Sequence, residues 1–475
     1  MIPRPSREQL RVLISENPEA VIDLIEMLFD KIDDLTNRFQ KLEERLSLNS
    51  GNSSKPPSTD GFRKPRKSSQ RKNTGKKPGG QKGHIFHTLE FSSEPDDQVL
   101  HTVEKCACGH YFSENEKSIT SRQIFDIPEL KIFITQHDFE VGTCPCCQKE
   151  TFNEQLNNFK RRTQYGFRIK SLVTYLMQYQ FIPYNRMKDF LNDIFAVKVS
   201  AGSFFNWMRE ASGKLSVFEE ELKQKLLQKD VLHFDETGCN INGKLHWLHS
   251  SDLALLSVHE NCGAKVMSDI DILPHYTGIG VHDFWKPYYK FKMKHSLCNA
   301  HNLRDLKFLQ EELNENWAGK VISFLIKVKR AKEKEISKGR WKFTKKRIAD
   351  LNLEYRHIVK IAQKCHPENM QKNKSRGRPK RTKQQNFIKK LKEKADEILH
   401  FMNDFDVPFD NNQAERDIRM EKVHMKISGC FRSIQGAQFS FRIRSLISTV
   451  RKNGNSINDA LNNLFSDKKI LILTE

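Results

Sequence analysis

The reading of the fold turns on Val231 to Trp285, with VLHFDETG (231–238), KLHWLHS (244–250), LALLSV (253–258) and TGIGVHDFW (277–285). Each run reads as a short strand, and Asn242-Gly243 between the first two is a hairpin-turn dipeptide. A helical stretch follows the third run and reaches about Leu273. Three meandering strands, a helix and a fourth strand make the element order of an RNase H-like sheet. On this reading Asp235 and Asp283 both stand at strand ends.

A sheet of that kind that cuts phosphodiesters needs three carboxylates converging on two Mg²⁺ ions about 3.5–4 Å apart. One ion activates the attacking water or hydroxyl and the other stabilises the leaving oxygen. Carboxylates suit Mg²⁺, a hard cation that takes oxygen ligands. The third acid is expected on a helix after the sheet, where DNNQAERDIR (410–419) offers Glu415. Each acid also has a plainer reading. Asp235 is a turn residue if Glu236 is the ligand, Asp283 simply ends a strand, and Glu415, three after Asn412, has capping-box spacing.

Outward from this core, residues 301–403 read as long charged helices. The basic tract KNKSRGRPKRTK (372–383) breaks them, and helices resume near Asn412. Upstream, Leu172, Tyr175, Leu176 and Tyr179 have helical spacing, as do Met187, Phe190, Leu191 and Ile194. A short connection leads to Ser200, an N-cap for a third helix with Phe204, Phe205 and Trp207. A DNA-reading helix-turn-helix and plain helical packing fit this pattern equally.

Cys106-Ala-Cys108 and Cys144-Pro-Cys146-Cys147 form two short cysteine pairs, which suit one tetrahedral zinc held by two knuckles. Cys106, Cys108, Cys144 and Cys147 are the expected ligands, with Cys146 spare and His101, His110 and His137 each able to substitute. C-x-x-C leaves room for two sulfurs on one ion, whereas adjacent Cys146 and Cys147 crowd it. Ahead of them, Lys55–Lys82 carries ten Lys or Arg and one acid, Asp60, without an apolar period. That composition reads as a solvated arm whose Arg63, Lys64, Arg66, Lys67, Lys76 and Lys77 track phosphates and release counterions. At the N-terminus Val21, Ile25, Leu28, Ile32, Leu35, Phe39, Leu42 and Leu46 alternate spacings of four and three. This is a heptad seam, read as an oligomerising coiled coil or as a helix docked on its own protein.

The chain has 475 residues, 37% hydrophobic and 29% charged, enough for about three domains. Eighty Lys and Arg against 59 Asp and Glu give a net charge of +21, which favours a polyanionic partner, nucleic acid first. No run has the length of a membrane span, and the start lacks a secretory pattern. Ten cysteines, five of them clustered, read as a metal site in a reducing compartment rather than a disulfide framework. The expected location is cytoplasmic and nucleoid-associated.

Nearly end to end, the chain resembles the insertion sequence 66 family of bacterial DDE transposases. The resemblance rests on NSSKPPSTDG (52–61), KKPGGQKGH (76–84), the cysteine knuckles, QYGFRIKSLVTYL (164–176), IPYNR (182–186) and SAGSFFNW (200–207). HFDETG (233–238), GIGVHDFWKPY (278–288), LCNAHNLRDL (297–306) and VPFDNNQAERDIRMEKVHMKISGCFRS (407–433) complete it. Single motifs of this kind are weak, and the full set in order is specific. Lys105 departs from the pattern, standing where the first knuckle has its first cysteine. By motif match the resemblance implies Asp235, Asp283 and Glu415 as the catalytic, Mg²⁺- or Mn²⁺-binding triad, with Asp410 as a reserve acid. It also implies an RNase H-like fold with a helical insertion before the last acid, and a zinc module near the inverted repeats.

The expected architecture is multidomain α+β. An N-terminal heptad helix occupies 1–48, a basic Ser/Pro/Gly-rich arm 49–95, a zinc-binding module 96–155 and a helical, helix-turn-helix region 156–228. The catalytic core occupies 229–300 and, after a helical insertion at 301–403, resumes at 404–475. The expected function is a transposase that binds inverted repeats and target double-stranded DNA, as a homo-oligomer and with small accessory proteins. Arg416, Arg419, Lys422 and Lys426 are expected to hold the scissile strand. The competing reading is a non-catalytic DNA-binding regulator using the zinc module and helix-turn-helix. Three acids in so basic a chain favour the enzyme.

Overall fold

The structure, a computed structural model, describes residues 6–49, 52, 89–159, 161–251, 255–260, 263–367 and 381–469. Arg63, Lys64, Arg66, Lys67, Lys76 and Lys77 of the basic arm, and most of the tract 372–383, lie outside the described residues. The chain divides into two compact units. One comprises 1–67, 161–187 and 199–475, and the other 68–160 and 188–198.

The first unit opens with α1 (Arg7–Glu16) and α2 (Pro18–Ser47). Pro18 suits the first helical position, where its missing N–H would have had no partner. The heptad seam lies on α2 as expected, and Ile32, Leu35 and Phe39 are all more than half exposed.

The second unit contains little regular structure among its described residues. A hairpin of β1 (Val141–Thr143) and β2 (Glu150–Phe152) carries the second cysteine knuckle in its loop. An antiparallel bridge between Lys105 and Tyr111 closes the first knuckle, and Gly109 takes a φ of 101° in its turn. His137, Phe139 and Phe159 pack as a small aromatic cluster.

Helices α3 (Phe167–Gln178), α4 (Tyr184–Phe195) and α5 (Ala201–Lys214) fall where the apolar spacing put them. The Ser200 side chain accepts the Ser203 N–H, which is the expected cap. Phe204 and Trp207 are buried, α6 (Ser216–Leu227) follows in the chain, and α3 and α5 lie against two later helices, Ile457–Phe465 and Ile434–Lys452 respectively. Helices α3 and α5 therefore spend apolar faces on packing inside their unit.

The sheet comprises β3 (Val231–Ile241), β4 (Lys244–Ser251), β5 (Leu255–His259), β6 (Ile279–His282) and β7 (Lys294–Leu297), with α7 (Ala264–Asp269) before β6. Their order is β5-β4-β3-β6-β7. The meander β3-β4-β5 is antiparallel, while β6 and β7 add in parallel. Asn242 and Gly243 both have positive φ, as a type I′ hairpin turn requires. The first strand does not stop at Asp235; it continues six residues further, to Ile241, because the long ladder with β4 carries it on. The four-residue β7, too short to show a period in sequence, was not expected. Gly278 and Gly280 flank the start of β6 for a packing reason: a Cβ on Gly278 would meet the Asp230 carbonyl at 2.7 Å, and one on Gly280 would collide with the Met293 side chain.

After the sheet come α8 (Asn299–Glu311), α9 (Asn316–Ile336), α10 (Lys345–Cys365), α11 (Lys383–Glu393), α12 (Ala395–Ile398) and α13 (His400–Asn403), in the stretch read from sequence as charged helices. Their apolar faces share one core with Ile279, Val281 and Leu297 of the sheet. The chain then forms α14 (Asn412–Ser428), α15 (Ile434–Lys452) and α16 (Ile457–Phe465). A second core joins Cys239, Leu248 and Val258 to Ala437 and Phe441 of α15. Arg444 on α15 meets Glu421 on α14 at 3.1 Å and donates to the Gln178 carbonyl of α3, with Arg444 and Glu421 both buried. No helix among the described residues is long and apolar enough to cross a membrane.

Candidate active site

The parallel ladder between β3 and β6 ends at His233 and Val281. Asp235 follows two residues later on β3, and Asp283 is the first residue beyond β6. Where the two backbones cease to bond each other, their carboxylates lie near enough for the charge of Asp283 to act on Asp235. Helix α14 brings Glu415 to the same place. Burial raises the Asp235 pKa from 3.8 to about 7, and the negative charges of Glu415 and Asp283 add to the effect. The Glu236 backbone N–H, 3.0 Å from Asp235 Oδ1, and the charge of Lys422 act in the opposite direction. Asp283 is likewise raised by burial, and is eased by His301, the Trp285 N–H and Lys390.

Asn411 explains how Glu415 reaches the sheet. It is buried, and its Nδ2 donates to the Phe234 carbonyl at 2.7 Å while its Oδ1 faces His233 Nδ1 at 2.7 Å. Its backbone N–H points at Cys298 Sγ, 3.2 Å away at the head of α8. One side chain thus fastens the start of α14 to the residues just before Asp235. Glu415 Oε1 is buried without a hydrogen bond, 3.8 Å from His301 Nδ1. Its Oε2 lies 3.5 Å from Arg304 and 3.7 Å from Arg419.

Asp235 lies within β3 rather than in a turn, whereas Asp283 does stand just past the end of β6, where its Oδ1 accepts the Trp285 N–H. Glu236 accepts a 2.6 Å hydrogen bond from the Tyr288 hydroxyl, and burial raises its pKa well above the ordinary value. The capping box at Asn412 is absent; Asp410, the reserve acid, accepts the Asn412 N–H at 3.2 Å instead. Arg419, Lys422 and Lys426 stand four, seven and eleven residues after Glu415 on α14, and Arg416 follows it directly. Lys390 of α11 adds a cation near Asp283 and lies 4.8 Å from the centre of the Phe284 ring.

Each expected zinc knuckle forms a tight turn. Cys106 and Gly109 bond across the first, and Cys144 bonds to Gln148 and Lys149 across the second. The His110 backbone N–H and then the Cys106 side chain lower the Cys108 pKa, while the backbone N–H groups of Cys147 and Cys146 do so for Cys144. The two pairs are not gathered around one point. Among the described residues, the group of three possible ligands within 4.8 Å of one another is Cys298, His301 and Glu415.

Sequence reasoning assigned no role to Asn411, His301, Arg304 or Lys390. The first three stand inside quoted motifs, DNNQAERD and LCNAHNLRDL, which was the available signal. Lys390 is one lysine among many on charged helices and carries none.

The three oxygen-donor side chains, one with a buried and unpartnered oxygen and one with its pKa raised by burial and then by its neighbours, fit a hard divalent cation. A family model described as "Transposase IS66 family" matches residues 162–439, a span that includes all three acids. A second, described as a family of unknown function (DUF6444), matches residues 2–90. Neither span includes the Cys106–Cys147 cluster. No curated protein matches the chain.

Proposed function

The chain belongs to the IS66 family of transposases, and from that premise we propose that it is a DDE enzyme that cleaves the ends of its own element and joins them to target DNA. The observation that carries the reading is the convergence of Asp235, Asp283 and Glu415 where the β3–β6 ladder ends. The antiparallel meander followed by two parallel strands supports an RNase H-like core.

Asp235, Asp283 and Glu415 would hold two Mg²⁺ ions, or Mn²⁺ in their place. When bound, the ions supply activation of the attacking water or 3′-hydroxyl and stabilisation of the leaving oxygen. The remaining work is positioning and charge neutralisation, as phosphoryl transfer demands. Arg304 and Arg419 hold the Glu415 carboxylate in place. Arg416, Lys422 and Lys426 continue the cationic line along α14 and meet the phosphate backbone beside the three acids. The basic arm would add non-specific affinity, the cysteine module would hold zinc once its two knuckles close on one ion and would read inverted repeats, and the α2 seam would pair protomers for synapsis.

The test is end cleavage of labelled DNA carrying the element's own termini, with Mg²⁺. Cleavage and strand transfer are expected in the unmodified protein. Asp235→Asn, Asp283→Asn and Glu415→Gln should each abolish both while DNA binding persists. Near-normal cleavage by one of these variants removes that residue from the triad. DNA binding without cleavage, in the unmodified protein with and without accessory proteins, supports the regulator instead.

A further inference from the structure

Glu415 has two sides. Its Oε2 faces Arg304 and Arg419, while its Oε1 faces His301 and Cys298, residues that the proposed Mg²⁺ chemistry does not use. We propose that Cys298, His301 and Glu415 form a binding site for a zinc-class cation, and that this site shares Glu415 with the carboxylate centre.

Four observations support the site. First, Cys298 is the N-cap of α8 and His301 lies three residues on, so a C-x-x-H pair is presented by one helix start. Second, the three donor atoms lie within 4.8 Å of one another. His301 Nδ1 and Glu415 Oε1 are 3.8 Å apart, too far for a hydrogen bond. Two ligands at about 2.0–2.1 Å on one tetrahedral ion are separated by roughly 3.3 Å, so a small side-chain adjustment seats both.

Third, His301 Nδ1 and Glu415 Oε1 are both buried without a hydrogen-bond partner. Buried polar atoms are rarely left so, because each carries a desolvation cost. Fourth, backbone N–H groups of His301, Asn411 and Ala300 are directed at the Cys298 sulfur. These donors favour the thiolate, but burial outweighs them and pushes the Cys298 thiol up to about 11, so a cation seated here binds with release of the thiol proton.

The donor set indicates which cation fits. Mg²⁺ takes oxygen ligands, whereas thiolate and imidazole select zinc and its neighbours. Three protein ligands leave a fourth position for water or a phosphate oxygen. A zinc ion seated here engages the Glu415 oxygen that faces away from the arginines. It thereby competes with Mg²⁺ for the third carboxylate, and Zn²⁺ should inhibit end cleavage. The site stands without the transposase reading; only the competition rests on it.

The experiment titrates the full-length, metal-stripped protein with Co²⁺, a spectroscopic stand-in for Zn²⁺ that gives a thiolate charge-transfer band. The Cys106–Cys147 module contributes its own band, so the measurement is the difference between the unmodified protein and Cys298→Ser. Loss of one equivalent of bound Co²⁺ with its share of the band is expected. His301→Gln leaves the sulfur in place and should lose the same equivalent, which covers the case in which Cys298→Ser fails to fold. Unchanged Co²⁺ stoichiometry and band in a folded Cys298→Ser protein overturns the site. In the second arm, Zn²⁺ added to the Mg²⁺ cleavage reaction should inhibit the unmodified protein more than Cys298→Ser. Equal inhibition refutes the shared-ligand competition. Absence of cleavage under every condition counts against the transposase reading and leaves the cobalt result to decide the site.

Discussion

Asp235→Asn should make the metal-free protein more stable at pH 8 while abolishing its chemistry. In the folded chain the Asp235 pKa is raised from 3.8 to about 7, chiefly by burial and then by Glu415 and Asp283. Between those values the folded state binds a proton that the unfolded state has lost, so this carboxylate's contribution to stability falls as pH rises through the window. The full shift corresponds to a ceiling of about 4 kcal/mol at pH 8, at ~1.4 kcal/mol per unit. The two units from pH 5 to about 7 account for about 2–3 kcal/mol of it. An asparagine has no such titration. Its advantage over the unmodified protein in EDTA should therefore grow by about 2–3 kcal/mol between pH 5 and pH 8. Urea unfolding at both pH values, followed by circular dichroism, measures it. Mg²⁺ should restore stability to the unmodified protein at pH 8 and do much less for the variant, because a cation bound by the carboxylates relieves their repulsion. An advantage that stays flat with pH, or equal Mg²⁺ stabilisation of both proteins, refutes the reasoning.

Three further outcomes test other parts of the molecule. Replacing Ile32 and Leu35 with Lys puts charges into the exposed α2 seam, and light scattering of the full chain should show loss of the oligomer; an unmodified protein that is monomeric at high concentration ends the coiled-coil reading. Arg444→Met leaves Glu421 buried without its cation and should cost about 3–5 kcal/mol in denaturant unfolding, while the double variant Arg444→Met/Glu421→Gln recovers much of that; an additive double variant argues against the pair. Elemental analysis should find one zinc fewer in Cys147→Ser and no loss in Cys146→Ser, and equal loss from both sinks the C-x-x-C ligand assignment.

Local pattern made much of the fold legible. The heptad spacing gave α2, Ser200 gave the cap of α5, and Asn242-Gly243 gave the hairpin, because each depends on neighbours within a few residues. The four strands expected from 231–285 all appear, whereas β7 was missed because four residues hold too little period. The course of β3 past Asp235 was missed for a different reason: a strand's length depends on its partner, and here β4 continues to pair as far as Ile241.

The candidate site divides along the same line. Asp235, Asp283 and Glu415 are proposed from residue type and motif order. Their mutual proximity could not be read there. It exists because the β3–β6 ladder ends at His233, and because Asn411, 178 positions later, bonds both His233 and the Phe234 carbonyl and thereby seats α14. The proximity of Cys298 and His301 to Glu415 is equally a product of packing, with the Asn411 N–H directed at the Cys298 sulfur. Sequence specifies which donors a chain carries and the local turn each occupies. Which donors lie within a few ångströms is decided by long-range hydrogen bonds and a shared core, and those form only once the distant segments have folded together.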